Sequence, residues 1–385
     1  MRAHIRDADM QQLTFTRFVA AMSVVVFHWS LHTPGLLEAT RDFRVLLGQT
    51  MVSYFFVLSG FIMASVYDRP GTKVDAWRYW GMRVARIYPV YLLGLIWMAA
   101  LLHAGIGDTR HDAPALLLGA LMLQAWSPAF ALSVNAPAWS LSAEAFFYLL
   151  FPWALLAMDR MRGSAMVFVA TAIVWLLSLA AHLWALSRLF GNDPVVGHEF
   201  LYYNPLMHFN SFLVGMCAGM LVKRHLGVLR TGPGASFPLA TIVVLVLSPV
   251  LAAAIALNLD AINAWTRLPF TPTNGLLAPL FALFIAALSI DGSALSTFLR
   301  QAPLVLLGHI SYAIYILHIP VSWSLRSALP DMFPVSHPVA TFAIYVVALL
   351  AVSYASFRWM ETPLRSAARR HLSRPADSRG PVPGS

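Results

Sequence analysis

Residues 13–31, LTFTRFVAAMSVVVFHWSL, form an apolar run that carries two ionisable side chains, Arg17 and His28. Nineteen helical residues at about 1.5 Å each come close to ~30 Å of hydrocarbon, so the run is expected to cross a bilayer. Arg17 and His28 lie eleven positions apart, and at about 100° per residue they return to within roughly 20° of one helix face. A charged side chain at such depth costs at least about 2.5 kcal/mol. The pair is therefore expected to face a cavity rather than lipid.

The rest of the chain has the same character. Apolar residues make up 59% of the 385 positions and charged residues 11%, and the mean hydropathy is +0.68. That composition predicts an all-α polytopic membrane protein. The net charge of +9 is spread between apolar runs and not gathered on one face, a distribution that reads as membrane topology and excludes nucleic acid as the partner. The single cysteine, Cys217, lies in an apolar run and forms no intrachain disulfide. The first run lacks a small-residue cleavage site, so it is expected to be retained as a span.

Ten transmembrane helices are expected, at 13–31, 46–66, 83–103, 139–157, 165–187, 206–222, 239–258, 274–290, 303–325 and 339–359. Residues 114–126 are apolar but short and bounded by Pro114 and Pro128, which predicts a re-entrant or interfacial segment. With a cytoplasmic N-terminus, 18 Lys/Arg fall on the inner side and six on the outer, and Arg17 and Arg86 within spans complete the 26. An eleventh span at 114–126 would erode that bias. The predicted organisation is a cytoplasmic N-terminal segment, 1–12, a membrane domain, 13–365, and a disordered cytoplasmic tail, 366–385, which is too polar and too rich in Pro, Gly, Ser and Arg to build a core. Both termini are expected inside, in a bacterial inner membrane.

Six ordered strings stand out: RFVAAMSVVVFH (17–28), YFFVLSGFI (54–62), RVARIYPVYLL (83–93), AWSLSAEAFFYLLFPW (138–153), GHISYAIYILHIPV (308–321) and FRWMETPLR (357–365). Together they resemble the acyltransferase family 3 membrane proteins, over nearly the whole chain. The resemblance implies a ten-helix enzyme that takes an acyl group from acyl-coenzyme A on the cytoplasmic side and places it on a hydroxyl, commonly of a carbohydrate, at or beyond the membrane. It implies that His28 is the catalytic residue, that acyl-coenzyme A is a donor substrate, and that no tightly bound cofactor is needed. Partners are then the bilayer, the donor and the acceptor, with a homo-oligomer or polysaccharide-assembly partners left open. The chain departs from the family at Ser53 and Tyr54, where relatives often carry an aspartate, and the C-terminal hydrolase-like domain of some relatives, with its second chemical step, is not expected here.

The residues support specific roles. His28 lies about one turn from the outer end of the first span and Glu144 about one turn inside the outer end of the fourth, which predicts an imidazole and a carboxylate at similar depth, a base and an orienting acid. Packing or interhelix hydrogen bonds are the structural alternatives for both. Arg17, about 16 Å inward of His28, is too far to touch it without a bridging ligand, and a long thioester donor would be that bridge. Arg83 and Arg86, three apart at the inner mouth of the third span, have the side and spacing to meet coenzyme A phosphates, with positive-inside anchoring as the alternative. Ser311, Tyr315 and His318 follow i, i+4, i+7 spacing and are expected to line the same cavity as one stripe. Ser59 and Gly60 interrupt an aromatic span near mid-membrane, where the serine can meet substrate or its own backbone and the glycine permits close helix approach.

No metalloprotease, nucleophile-elbow, P-loop or zinc-spaced string occurs, and no metal is expected. Isolated intramembrane Arg, Glu and His also suit an ion-coupled secondary transporter, although no inverted repeat is visible. A noncatalytic partner of a polysaccharide-export complex is a third reading. Among acyl acceptors, an exopolysaccharide, lipopolysaccharide or lipid-linked precursor is expected, with a small-molecule glycoside or macrolide as the alternative.

Overall fold

The computed structural model describes residues 10–31, 41–69, 73–188, 194–226, 239–330 and 338–372. Helices follow in the order α1 (Gln12–Leu31), α2 (Arg41–Tyr67), α3 (Ala76–His103), α4 (Ala113–Ala120), α5 (Pro128–Ala131), α6 (Trp139–Asp159), α7 (Ser164–Arg188), α8 (Pro194–Tyr203), α9 (Pro205–Leu221), α10 (Leu239–Leu257), α11 (Leu259–Thr266), α12 (Ala278–Ile290), α13 (Ala294–Leu299), α14 (Ala302–Ala328), α15 (Pro338–Ser356) and α16 (Thr362–Leu372). No β-strand occurs among the described residues. The chain is an all-α polytopic membrane protein.

Among the described residues, eight helical segments are long and apolar enough to cross a membrane, and a ninth candidate is the pair α10 and α11, bent by 64°. The eighth expected span, 274–290, is shorter than its apolar run: residues 274–277 are not helical, and α12 has 13 residues, about 20 Å at 1.5 Å each. Residues 273–275 of the preceding loop are buried and bonded to other helices. Ser53 donates to the Thr273 carbonyl at 2.5 Å, Trp175 Nε1 to the Gly275 carbonyl at 2.7 Å and Asn210 Nδ2 to the Asn274 carbonyl at 3.0 Å. Irregular backbone is tolerated at membrane depth where protein groups satisfy it. Hydropathy averages over such a loop and reads it as helix.

Residues 114–126 do not form a span. The eight-residue α4 turns back at Met122, with φ of 56°, and is held by Tyr88 and Tyr91, which donate to the carbonyls of Ala120 and Gly119, and by Ser142, which donates to that of Met122. At the C-terminal end, the helix continues through a wide turn at Phe357–Glu361 into α16. Residues 366–372, expected as disordered tail, are therefore helical, and α16 packs on α3, where a Cβ at Gly81 would meet Leu372. The remaining tail residues, 373–385, and most of the N-terminal segment, 1–9, lie outside the described residues.

α2, α9 and α14 form the interior of the bundle, while α7, α10 and α15 present apolar side chains such as Leu177, Val246 and Val347 outward, the pattern of a lipid-facing rim. Glycines set the closest approaches. A Cβ at Gly60 would overlap the carbonyl of Phe212, and one at Gly215 the carbonyl of Val57, so α2 and α9 pack backbone on backbone. Gly215→Leu is expected to force these helices apart and lower the thermal unfolding midpoint in detergent by several degrees; an unchanged midpoint would show that the contact is dispensable. At one end of this pair, Arg224 holds Asp68 through Nε and Nη2 at 2.8 and 2.7 Å and reaches Asp159 at 3.0 Å, tying α2, α6 and α9 together.

α1 and α14 also meet through a glycine: a Cβ at Gly308 would overlap the carbonyl of Thr14. Farther along the same two helices His28 meets His318, so α1 and α14 run parallel. α3 runs parallel to them as well, since the Ile87 carbonyl accepts from Tyr312 and Trp97 donates to Ser324. Parallel α3 and α14 require an odd number of crossings between them. The five expected spans in that interval meet the condition.

Candidate active site

Two cavities lie in line along α1 and α14. The first, with about 650 Å³ of empty space, is lined by Arg17 of α1, Ser59 of α2, Arg86 of α3, Glu144 and Tyr148 of α6, and Ser311 and Tyr315 of α14, among others. The second, of about 390 Å³, is lined by His28 and Trp29 of α1, His318, Ser322, Trp323 and Arg326 of α14, and Tyr345 of α15, with Ile319. Arg17 and His28 thus face cavities as expected of their common helix face, but each faces its own. Along α1 the eleven-residue interval puts Arg17 and His28 about 16 Å apart, whereas on α14 Tyr315 of the first chamber is only three residues from His318 of the second.

Glu144 belongs to the first cavity. Ser59 Oγ donates to its carboxylate at 3.1 Å and the Tyr148 hydroxyl donates to it as well, while Ser59 and Tyr148 lie 3.0 Å apart. Ser59 is thus engaged with side chains of another helix and not with its own backbone. The charge neighbours of Arg17 are Arg86, Glu144, Tyr148 and Glu361. Glu361 is itself paired with Arg365, so Arg17, Arg86 and Arg365 outnumber Glu144 and Glu361 around this chamber, an excess of positive charge inside an apolar bundle. Such a site attracts an anion.

Arg83 and Arg86 part company. Arg86 lines the first cavity. Arg83 packs behind Tyr148, with its guanidinium 5.8 Å from that ring centroid and 5.7 Å from that of Tyr79, geometry that favours a cation over an aromatic face. Its buried Nε and Nη1 have no hydrogen-bond partner among the described residues. Unmet N–H groups on a buried cation are costly.

The expected pairing of His28 with Glu144 is not formed. His28 instead lies 3.2 Å, through Nδ1, from Nε2 of His318, and its Nδ1 is 3.0 Å from the Val24 carbonyl. His318 is fully buried, with Nδ1 2.6 Å from the Tyr315 carbonyl. The expected stripe is split correspondingly. Ser311 and Tyr315 line the first cavity, and His318 lines the second, because 3.6-residue periodicity gives a shared face but says nothing of where along that face a chamber ends. Tyr315 stands at the boundary: its hydroxyl is 2.8 Å from Ser140 Oγ, its ring packs edge-on against Phe55, and its ring centroid is 6.1 Å from that of His318. At the position where an aspartate was expected from the resemblance, Ser53 bonds the Thr273 carbonyl and Tyr54 donates to Thr16 at 2.6 Å.

Several lining residues escaped the sequence reading. Tyr148 is one turn from Glu144, a spacing that could have flagged it. Trp29 stacks on Tyr345 at 4.8 Å with the rings 13° from parallel, and the Arg326 guanidinium lies 5.0 Å from the Trp29 ring centroid. That aromatic wall joins α1, α14 and α15 and has no signal in any one segment. Glu361, 3% exposed, sits in the wide turn with Arg365 at 3.1 Å.

The acyltransferase-3 family model, which describes an acyltransferase domain, matches residues 10–358. The acyltransferase MdmB of Streptomyces mycarofaciens is 27% identical over 334 residues, which cover 82% of this chain and 80% of the relative. No solved structure matches. The match runs from the start of α1 into the turn beyond α15 and so takes in both chambers and every helix that lines them, and on it this membrane protein belongs to the acyltransferase-3 family of acyl-transferring enzymes.

Proposed function

We propose that this enzyme moves a short acyl group, such as acetyl, from acyl-coenzyme A to a hydroxyl of a carbohydrate, with the donor in the first cavity and the acceptor in the second. One observation carries the reading. An arginine-rich chamber and a histidine-bearing chamber lie in line along two parallel helices, with Arg17 of one and His28 of the other about 16 Å apart along α1. The donor is a long molecule with phosphates at one end and a thioester at the other, and that polarity fits the two chambers. Arg17 and Arg86 bind the anionic portion, with Arg83 placed behind Tyr148 to meet a further phosphate oxygen. The pantetheine arm then reaches past Tyr315 toward His28.

Neutral His28 takes the proton from the acceptor hydroxyl as its oxygen bonds to the thioester carbonyl carbon. The tetrahedral oxyanion collapses, the carbon–sulfur bond breaks, and the coenzyme A thiolate takes the proton from His28. The products are an ester and free coenzyme A, and the base is regenerated. The second cavity suits a sugar ring: Trp29, Trp323 and Tyr345 give apolar faces, and Ser322 and Arg326 give polar groups that fix orientation. The positive-inside bias supports a cytoplasmic Arg83 end and cytoplasmic termini, in a bacterial inner membrane. Membership of an enzyme family sets aside the carrier alternative.

Mass analysis of cell-surface glycans and of secreted small molecules, with and without the protein, tests the acceptor class. Loss of acyl ester from an exopolysaccharide, lipopolysaccharide or lipid-linked precursor is the expected result. Unchanged glycans together with loss of an acylated small molecule would overturn the polymer assignment in favour of a small-molecule glycoside or macrolide.

A further inference from the structure

We propose that His318 is the positioning residue of this site: it fixes the proton of His28 on Nδ1, so that Nε2 is the nitrogen that takes the hydroxyl proton. The inference rests on the reading of His28 as the base. It follows from three acceptors. The Tyr315 carbonyl, 2.6 Å from Nδ1 of His318, can only accept, so that nitrogen carries the hydrogen and neutral His318 has its lone pair on Nε2. This Nε2 lies 3.2 Å from Nδ1 of His28, and the second neighbour of the same Nδ1, the Val24 carbonyl at 3.0 Å, also only accepts. Both contacts are satisfied together when His28 Nδ1 donates, and the lone pair of neutral His28 is then on Nε2.

The arrangement does the work usually given to a carboxylate. When His28 gains a proton, its Nδ1–H points at the lone pair of His318, and His318 is backed by the Tyr315 carbonyl. A neutral imidazole can be fully buried at this depth without the cost of an ionised carboxylate. The scaffold holds the second ring still: Tyr345 of α15 donates to the His318 carbonyl at 3.0 Å, and the stacked pair of Trp29 and Tyr345 locks α1 to α15. Among the described residues, the titratable and charged groups that line this cavity are His28 on α1, His318 and Arg326 on α14 and Tyr345 on α15.

The tautomer can be read directly by ¹⁵N NMR of the full-length protein, labelled at histidine, in detergent micelles at alkaline pH, with the His28 signals assigned by their loss in His28→Gln. The parent is expected to show a proton on Nδ1 and a pyridine-type Nε2. His318→Leu, of similar volume, is expected to shift the His28 Nε2 signal toward the protonated form, and His318→Gln, whose amide oxygen can accept from Nδ1, to restore it toward the parent. Turnover of acetyl-coenzyme A with a cell-envelope glycan extract should fall about 10- to 100-fold in kcat for His318→Leu at unchanged donor KM, with His318→Gln recovering most of the loss. A His28 proton on Nε2 in the parent, or identical His28 signals in parent and His318→Leu, would overturn the proposal. Undiminished turnover in His28→Ala would instead overturn the base reading on which it rests, so the two failures are distinguishable.

Discussion

His28→Ala is expected to abolish acyl transfer while leaving the protein inserted and folded. The residue is half-buried against an open chamber, so truncation enlarges a cavity rather than opening one in packed core. General-base loss is worth about 10² to 10⁴ in rate. His28→Gln is the more discriminating variant, since its amide keeps bulk and hydrogen bonding but cannot hold a proton, and it should be nearly as slow. Size-exclusion behaviour and thermal unfolding, compared with the parent, separate loss of chemistry from loss of fold. Near-normal turnover in a well-folded His28→Ala protein would remove His28 from the reaction.

Replacing Arg83 and Arg86 together with Gln is expected to weaken donor binding far more than acceptor binding. Charge-assisted phosphate contacts are worth about 1.5 to 3 kcal/mol each, which corresponds to roughly a 10- to 150-fold rise in the donor Kd for one lost contact. Arg83 contributes buried N–H groups without partners among the described residues, and Arg86 faces the first chamber beside Arg17. Added salt should weaken donor binding in the parent and have less effect in the double variant, because attraction through the open part of the chamber is screened. Correct insertion must be shown separately, since both charges also favour the inner side. Unchanged donor affinity across salt in correctly inserted protein would make these arginines topological anchors.

Most of the fold could be read from the chain because lipid leaves few options: backbone groups must be satisfied within a helix, so each apolar run of about 20 residues has essentially one solution. The refusal of 114–126 to span was legible for the same reason, from its length and its flanking prolines. The run before α12 misled because Thr273 and Asn274 are satisfied by Ser53, His182 and Asn210 on distant helices, and hydropathy carries no information about such partners. At the site, the shared face of Arg17 and His28 was legible from spacing alone. The pairing of His28 was not. Distance from a span end fixes depth but not rotation about the bundle axis, so Glu144 looked as near to His28 as His318 did. The choice between them is made where Gly308 lets α14 lie directly against α1. A small residue announces a close approach but not its partner.

The central claim is that one membrane protein binds an acyl thioester through its arginine-rich chamber and transfers the acyl group to a hydroxyl at its histidine-bearing chamber. It is tested most directly by purified protein in oriented proteoliposomes, with labelled acetyl-coenzyme A supplied at the face bearing Arg78 and Lys73 and a glycan acceptor at the opposite face. The account predicts free coenzyme A and labelled acceptor in equal amounts, with neither formed by His28→Ala. Labelled acceptor formed at the parent rate by His28→Ala, or no thioester consumed by the parent protein with both substrates present, would contradict it.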